Sequence, residues 1–156
     1  MPIKSFRGLL ADQATETISL HTNNGSVGYR IKKFEILAQK PGNVHNESVV
    51  KIYSVPQTTP DAFIDFSDNT LLAAGYYRDD ASRVYSQSDV VVFDNMTFNQ
   101  DIYLTHVDVE VGESVNYYIE LEQIKLDLNE NTVATLKDIR NIASQWANNI
   151  TWIKKQ

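Results

Sequence analysis

Cysteine is absent from all 156 residues. That excludes disulfides, thiolate metal sites and thiol nucleophiles together, and it suits a cytosolic origin. Long apolar runs are absent too. None approaches the ~20 residues needed to cross a bilayer. The opening MPIKSFRGLLADQ lacks an apolar core of signal-peptide length, so neither membrane insertion nor secretion is expected. Histidine is scarce. His21, His45 and His106 are the full set, and none stands beside another histidine, or beside a glutamate at the spacing of a zinc helix. Each is expected in a loop or on a strand surface. No Gly-x-Ser-x-Gly elbow, P-loop or dinucleotide fingerprint occurs. An enzyme is therefore not expected, nor is a metal or organic cofactor.

Positive charge is also in short supply. Lys and Arg number 14 against 20 Asp and Glu, a net charge of −6. Such a chain repels phosphate, which argues against a nucleic-acid partner. The imbalance is uneven. Residues 1–40 hold six cations (Lys4, Arg7, Arg30, Lys32, Lys33, Lys40) and three acids (Asp12, Glu16, Glu35), a net +3, so the other 116 residues carry −9. This asymmetry suits head-to-tail contact between copies, or docking on an acidic partner. Screening also makes scattered surface charge harmless, so an ordinary solvated surface accounts for it equally.

What is present is globular composition, 42% hydrophobic and 22% charged, at a length for one domain. The dominant signal is short alternating runs broken by turn residues. Ile18 and Leu20 begin one run, which stops at HTNNGSVG, where Asn24-Gly25 is a strong hairpin signal. YRIKKFEIL, VVKIYSV, the two apolar runs flanking Ser67-Asp68-Asn69, and DVVVFDN follow. DVVVFDN is continuous enough for a strand buried on both faces. QDIYLTHVDVEVGESVNYYIEL reads as a hairpin turning at Gly112.

Two runs change parity. In YRIKKFEIL the apolar row passes from Tyr29 and Ile31 to Phe34 and Ile36. In VNYYIELEQIKLDL it passes from Tyr117, Ile119 and Leu121 to Ile124, Leu126 and Leu128. One extra residue in a strand does this, so bulges are expected near Lys32-Lys33 and Glu122-Gln123. A strand crossing between sheets at a bend would look the same, as would burial on both faces.

After residue 129 the period changes. Val133, Leu136, Ile139, Ala143 and Trp146 recur at steps of three or four, one face of a helix. The expected fold is mainly β: a single antiparallel β-sandwich, jelly-roll-like, with a C-terminal α-helix. Residues 1–14 read as an N-terminal arm, 15–129 as the sandwich, 130–149 as the helix and 150–156 as a tail.

Acidic clusters and tyrosines supply the remaining site candidates. Asp65, Asp68, Asn69, Asp79 and Asp80 are of the types that bind calcium, although the EF-hand spacing is absent and turns favour the same residues. Glu120 and Glu122 lie two apart on one strand face, which is usually the wet face of a sheet. The pairs Tyr76-Tyr77 and Tyr117-Tyr118 each send one ring outward from a strand, where rings stack on sugars or proteins.

The segments ISLHTNNGSVGYRIKKFEI, VVKIYSVPQTT, DFSDNTLLAAGYY and NYYIELEQIKLDLNENTVATLKDIRN resemble small structural proteins of marine tailed bacteriophages, of the cyanophage and pelagiphage kind. The resemblance covers residues 1 to about 143 and leaves SQWANNITWIKKQ unmatched. It implies a virion component, assembled in the cytoplasm of a bacterial host, with no catalytic residue or cofactor to carry over. The expected role is a capsid decoration or cement protein that stabilises the phage head. The alternatives are a tail, adaptor or head-fibre component, or a carbohydrate-binding β-sandwich adhesin. Expected partners are the major capsid protein or other virion proteins, and further copies of the chain in a trimer or ring, with no nucleic acid and no membrane. The expected contacts are Lys4, Phe6, Arg7, Leu9 and Leu10 of the arm, Lys32 and Lys33 as a basic patch, Glu120 and Glu122 as an acidic one, and Leu136 and Ile139 of the helix.

Overall fold

The computed structural model describes residues 2–20, 26–42, 45–79, 87–93 and 95–127. Eight strands occur in them: β1 (Ile3–Leu10), β2 (Thr15–Ile18), β3 (Val27–Ala38), β4 (Asn46–Tyr53), β5 (Leu71–Asp79), β6 (Gln87–Val92), β7 (Ile102–Asp108) and β8 (Val115–Lys125). They make two antiparallel sheets, ordered β1-β8-β3 and β2-β7-β4-β5-β6. The chain is mainly β, as its alternating runs predict. The expected helix, with Leu136 and Ile139, lies outside the described residues.

Both sheets contribute to one hydrophobic core. Phe34, Ile36, Tyr117, Ile119 and Leu121 come from the three-stranded sheet. Val50, Ile52, Ala73, Ile102 and Leu104 come from the five-stranded sheet. A loop residue ties the two layers at one end. Phe98 exchanges backbone hydrogen bonds with Tyr29 (2.7 and 3.0 Å), and their rings stack at 6.3 Å.

Turn chemistry marks where strands stop but misleads about what pairs. Neither expected hairpin forms. β2 pairs with β7 and β3 with β8, so Asn24-Gly25, itself outside the described residues, does not join two paired strands. β7 and β8 also lie in different sheets. The turn at Gly112, where φ is +78°, carries the chain between layers; that φ favours glycine. Local pairing is confined to the β4-β5-β6 meander.

The parity switch has two causes. In β3 the register against β8 shifts between Ile31 and Lys33. The extra residue is Lys32, so the bulge lies where the sequence places it. Core-side residues are odd-numbered before it (Tyr29, Ile31) and even-numbered after it (Phe34, Ile36, Ala38). Lys32 and Lys33 both face solvent as a result. In β8 no bulge occurs at Glu122-Gln123, because pairing with β3 is regular from Leu121 to Lys125. There the sheet simply stops sealing one face. Glu122, Gln123 and Ile124 are all half-buried. Leu126 is buried after the strand has ended, over Gly28, with its N–H bonded to the Ser26 carbonyl at 2.9 Å.

Ile3–Leu10, expected to be part of a detached arm, are an edge strand. Every residue from Ile3 to Leu10 has a partner in β8. Gly8, which breaks the apolar pattern in sequence, makes room for Tyr117. A Cβ there would come within 2.8 Å of the ring. The Tyr117 hydroxyl donates to Glu16 of β2 at 2.9 Å, bridging the sheets. DVVVFDN also differs from expectation. β6 is an edge strand with no fully buried residue, because β5 covers only one side of it.

Candidate functional site

Three places gather the candidate side chains. The first is the outer face of the three-stranded sheet. Strand alternation and register lay it out in rows: Leu9–Asn116–Leu37, then Arg7–Tyr118–Glu35, then Ser5–Glu120–Lys33, then Ile3–Glu122–Arg30. Six of the expected contact residues therefore share one face, namely Arg7, Leu9, Lys32, Lys33, Glu120 and Glu122. Leu10 is buried, Phe6 packs on the core, and Lys4 lies 3.5 Å from the Tyr29 hydroxyl. These three follow the opposite parity and are used within the chain.

The expected division into acidic and basic patches does not survive this register. Arg30 and Lys32 both reach the Glu122 carboxylate at 3.3 Å, and Lys33 lies 3.4 Å from Glu35. β3 and β8 are neighbours, so the unlike charges neutralise one another inside one copy. Arg7 differs, having no ion-pair partner among the described residues. It lines an open cavity of about 440 Å³ with Gly8, Glu35, Leu37, Asn116 and Tyr118. Two apolar side chains flank that groove, Leu9 at 48% exposed and Leu37 at 56%.

The second place is the loop between β4 and β5, over the outer face of the five-stranded sheet. Lys51 of β4 organises it. Its side chain is 3% exposed, and Nζ donates to Asp61 Oδ1 and to the Phe63 carbonyl, both at 2.7 Å. Burial pulls the ammonium pKa down, but the bonds to Asp61 and to the Tyr53 hydroxyl outweigh it, so the group is held above its usual value. Asp61 Oδ1 also accepts from Phe63 N–H. Asp65 and Asp68, the calcium candidates, act as turn caps. Asp65 accepts from Ser67 N–H and Oγ, and Asp68 from Thr70 N–H and Oγ1. The Ser67 bonds hold the Asp65 carboxyl below its usual value. A loop fixed at these points presents Phe63 at 83% exposed, with Ile64 and Phe66 beside it. The Phe66 ring meets Phe93 edge-on at 5.2 Å. FIDF looks like the start of a strand in sequence. The contrary signal was Pro56, Pro60, Asp61, Asp65 and Asp68 within one short stretch.

Among the described residues the tyrosines are not the exposed aromatics. Tyr77 and Tyr117 are buried, and the Tyr76 and Tyr118 hydroxyls donate to Glu47 and Glu120 at 2.7 Å.

The third place is interior. His106, expected on a surface, is fully buried in β7. Nδ1 donates to the Ala11 carbonyl at 3.0 Å, and Nε2 lies 3.0 Å from Ser48 Oγ, itself 2.7 Å from Asn46 Oδ1. Ser48 has one proton for two acceptors, while Asn46 Nδ2 is buried without a partner. Turning the Asn46 amide by half a revolution removes the proton conflict: Nδ2 donates to Ser48, Ser48 donates to a neutral His106, and Oδ1 takes the partnerless position. Burial pushes the His106 pKa down, against the opposing pull of Asp12 and Asp108. The unfolded chain therefore binds a proton first, near pH ~6.5. The His106 contribution to stability is complete above that pH and is lost as pH falls toward the lower folded value. Thermal melts should show a midpoint that drops between about pH 7 and about pH 5, with the drop reduced in His106→Gln. A midpoint flat over that window would refute the buried neutral state.

Among the described residues no group of three or more His, Cys, Asp or Glu is placed to hold a metal ion. No known protein family and no curated protein matches the chain in sequence.

Proposed function

We propose that the chain is a structural protein of a bacteriophage virion, a decoration or cement protein that bridges neighbouring subunits of the head. The observation that carries this reading is the nested strand order. The first strand pairs with the last and the second with the seventh, giving β1-β8-β3 against β2-β7-β4-β5-β6, with β6 paired to β5. Seven of the eight strands thus follow the order of a jelly roll, an architecture used by viral capsid and lectin domains, while the sixth extends the five-stranded sheet instead of pairing with β3. On this reading the two sheets form a jelly-roll-like sandwich, and the amphipathic residues 130–149 add a helix to it. The link from fold to role is one of analogy, and the sequence resemblance to marine phage structural proteins points the same way. The mechanism is mechanical: a pinned loop and a grooved sheet face offer apolar area to neighbours, and small contacts gain strength by repetition over a shell.

Quantitative mass spectrometry of purified particles from the encoding phage tests the role. A copy number in the hundreds is expected for a head decoration protein, whereas about a dozen would move the chain to the neck or tail. Absence from the particle would overturn the virion reading. A second reading, a carbohydrate-binding adhesin, is favoured by one observation: Phe63 and Phe66 stand exposed beside Asp61 and Asp65, an aromatic platform with polar neighbours. Retention on a glycan array that is lost in Phe63→Ser would select it.

A further inference from the structure

We infer that copies of the chain bind one another head to tail, the Phe63 loop of one copy seated in the Arg7–Leu37 groove of the next. This deepens the structural reading above and rests on it. Each half is incomplete alone. Phe63 projects with almost its whole ring in water, on a loop whose backbone is fixed by Lys51. Exposed apolar groups of this size on a rigid support mark contact sites. The groove offers what the loop lacks: a cavity of about 440 Å³ lined by Leu37, with the exposed Leu9 on the same sheet face next to it.

Charge fixes the pairing. The loop is acidic, and Asp65 stays ionised with Oδ2 outside its turn bonds. Arg7 is the groove's cation without an ion-pair partner among the described residues, while Arg30, Lys32 and Lys33 are already engaged by Glu122 and Glu35. An Arg7–Asp65 pair across the contact supplies charge-assisted hydrogen bonds and sets the register. Lys51 lies between the core-facing Val50 and Ile52 of β4, so its side chain points to the outer face of the five-stranded sheet and holds the loop there. The groove is on the outer face of the other sheet. A contact between unlike patches on opposite faces cannot close about a two-fold axis. It propagates into a ring or a filament.

Sedimentation velocity over a concentration series of the full chain tests this. Phe63→Ser keeps the groove and removes the knob. Leu37→Asp keeps the knob and spoils the groove. Both side chains are exposed, so both variants should fold, which circular dichroism checks. Each variant alone should self-associate about tenfold more weakly or less than the parent. Mixed together they should form one-to-one pairs that grow no further, because each supplies the half the other lacks. Arg7→Glu should weaken association, and adding Asp65→Arg on the same chain should restore it. A mixture that stays monomeric, or single variants that associate like the parent, would overturn the inference. So would a parent that stays monomeric at high concentration. If that monomeric chain is still found on purified particles, the virion reading stands and the self-contact alone fails.

Discussion

Asp108→Ala should lower the free energy of unfolding by about 2–4 kcal/mol, read by urea denaturation. The carboxylate is buried at the end of β7 and serves three backbone donors. Oδ1 accepts from Glu47 N–H (3.1 Å) and Glu110 N–H (3.0 Å), and Oδ2 from Glu113 N–H (2.8 Å). Its own N–H donates to Asp12 Oδ1 at 2.8 Å. The side chain therefore holds the start of β4 and the turn into β8 in place, while the bond to Asp12 uses the backbone N–H, which alanine keeps. Alanine orphans all three donors. Water reaches part of this turn, which keeps the loss below the sum for three sealed bonds. Asp108→Asn separates charge from geometry. It keeps an oxygen for two donors and turns an amide hydrogen toward the Glu113 N–H, so it should lose roughly half as much. A loss under about 1 kcal/mol for alanine would show that the turn stands without the carboxylate.

Ile119→Ala should cost about 2–5 kcal/mol, with Ile119→Val costing about 0.5–1.5. Ile119 is fully buried at the middle of β8, directly between Phe6 of β1 and Phe34 of β3. Truncation leaves a void that close-packed neighbours fill only partly. For a domain of this length the midpoint of thermal melting should fall by about 2–4 °C for each kcal/mol. If the two substitutions cost the same small amount, the site collapses around the loss and the central strand is packed more loosely than its burial implies.

The sequence made some of this architecture legible and hid the rest for definite reasons. Alternation in VNYYIEL and YRIKKFEIL reports a half-buried strand wherever it is read, and the Lys32 bulge shows as a change of parity because period two is strict. Turn residues mark chain reversals equally well. They do not say whether the reversal joins partners in one sheet or carries the chain to the other layer, which is why Gly112 looked like a hairpin. Leu9 was visible as a contact candidate, but its neighbour Leu37 was not. The groove beside them is made by β8, whose residues are nearly 80 positions beyond Leu37. Phe63 lies in a short apolar run whose use the sequence leaves open, and the buried amine of Lys51 shows that it belongs to a pinned loop. His106 gave no signal at all. Its partners Ala11 and Ser48 lie 95 and 58 residues away.

The strand order also has a consequence for how the chain is made. β1 and β3 meet only through β8, so the three-stranded sheet has no pair of strands that can form before residue 115 is synthesised. β2 waits in the same way for β7. Of the eight strands, only the β4-β5-β6 meander can assemble from neighbours as it leaves the ribosome. Until then β1 and β3 carry two open edges each, the kind of edge that recruits other chains. Closure over such long loops is slow compared with local pairing. A cell making this chain thus handles nascent chains in which the central strand of the three-stranded sheet arrives last, and a chain interrupted before β8 leaves β1 and β3 with nothing of their own to pair with.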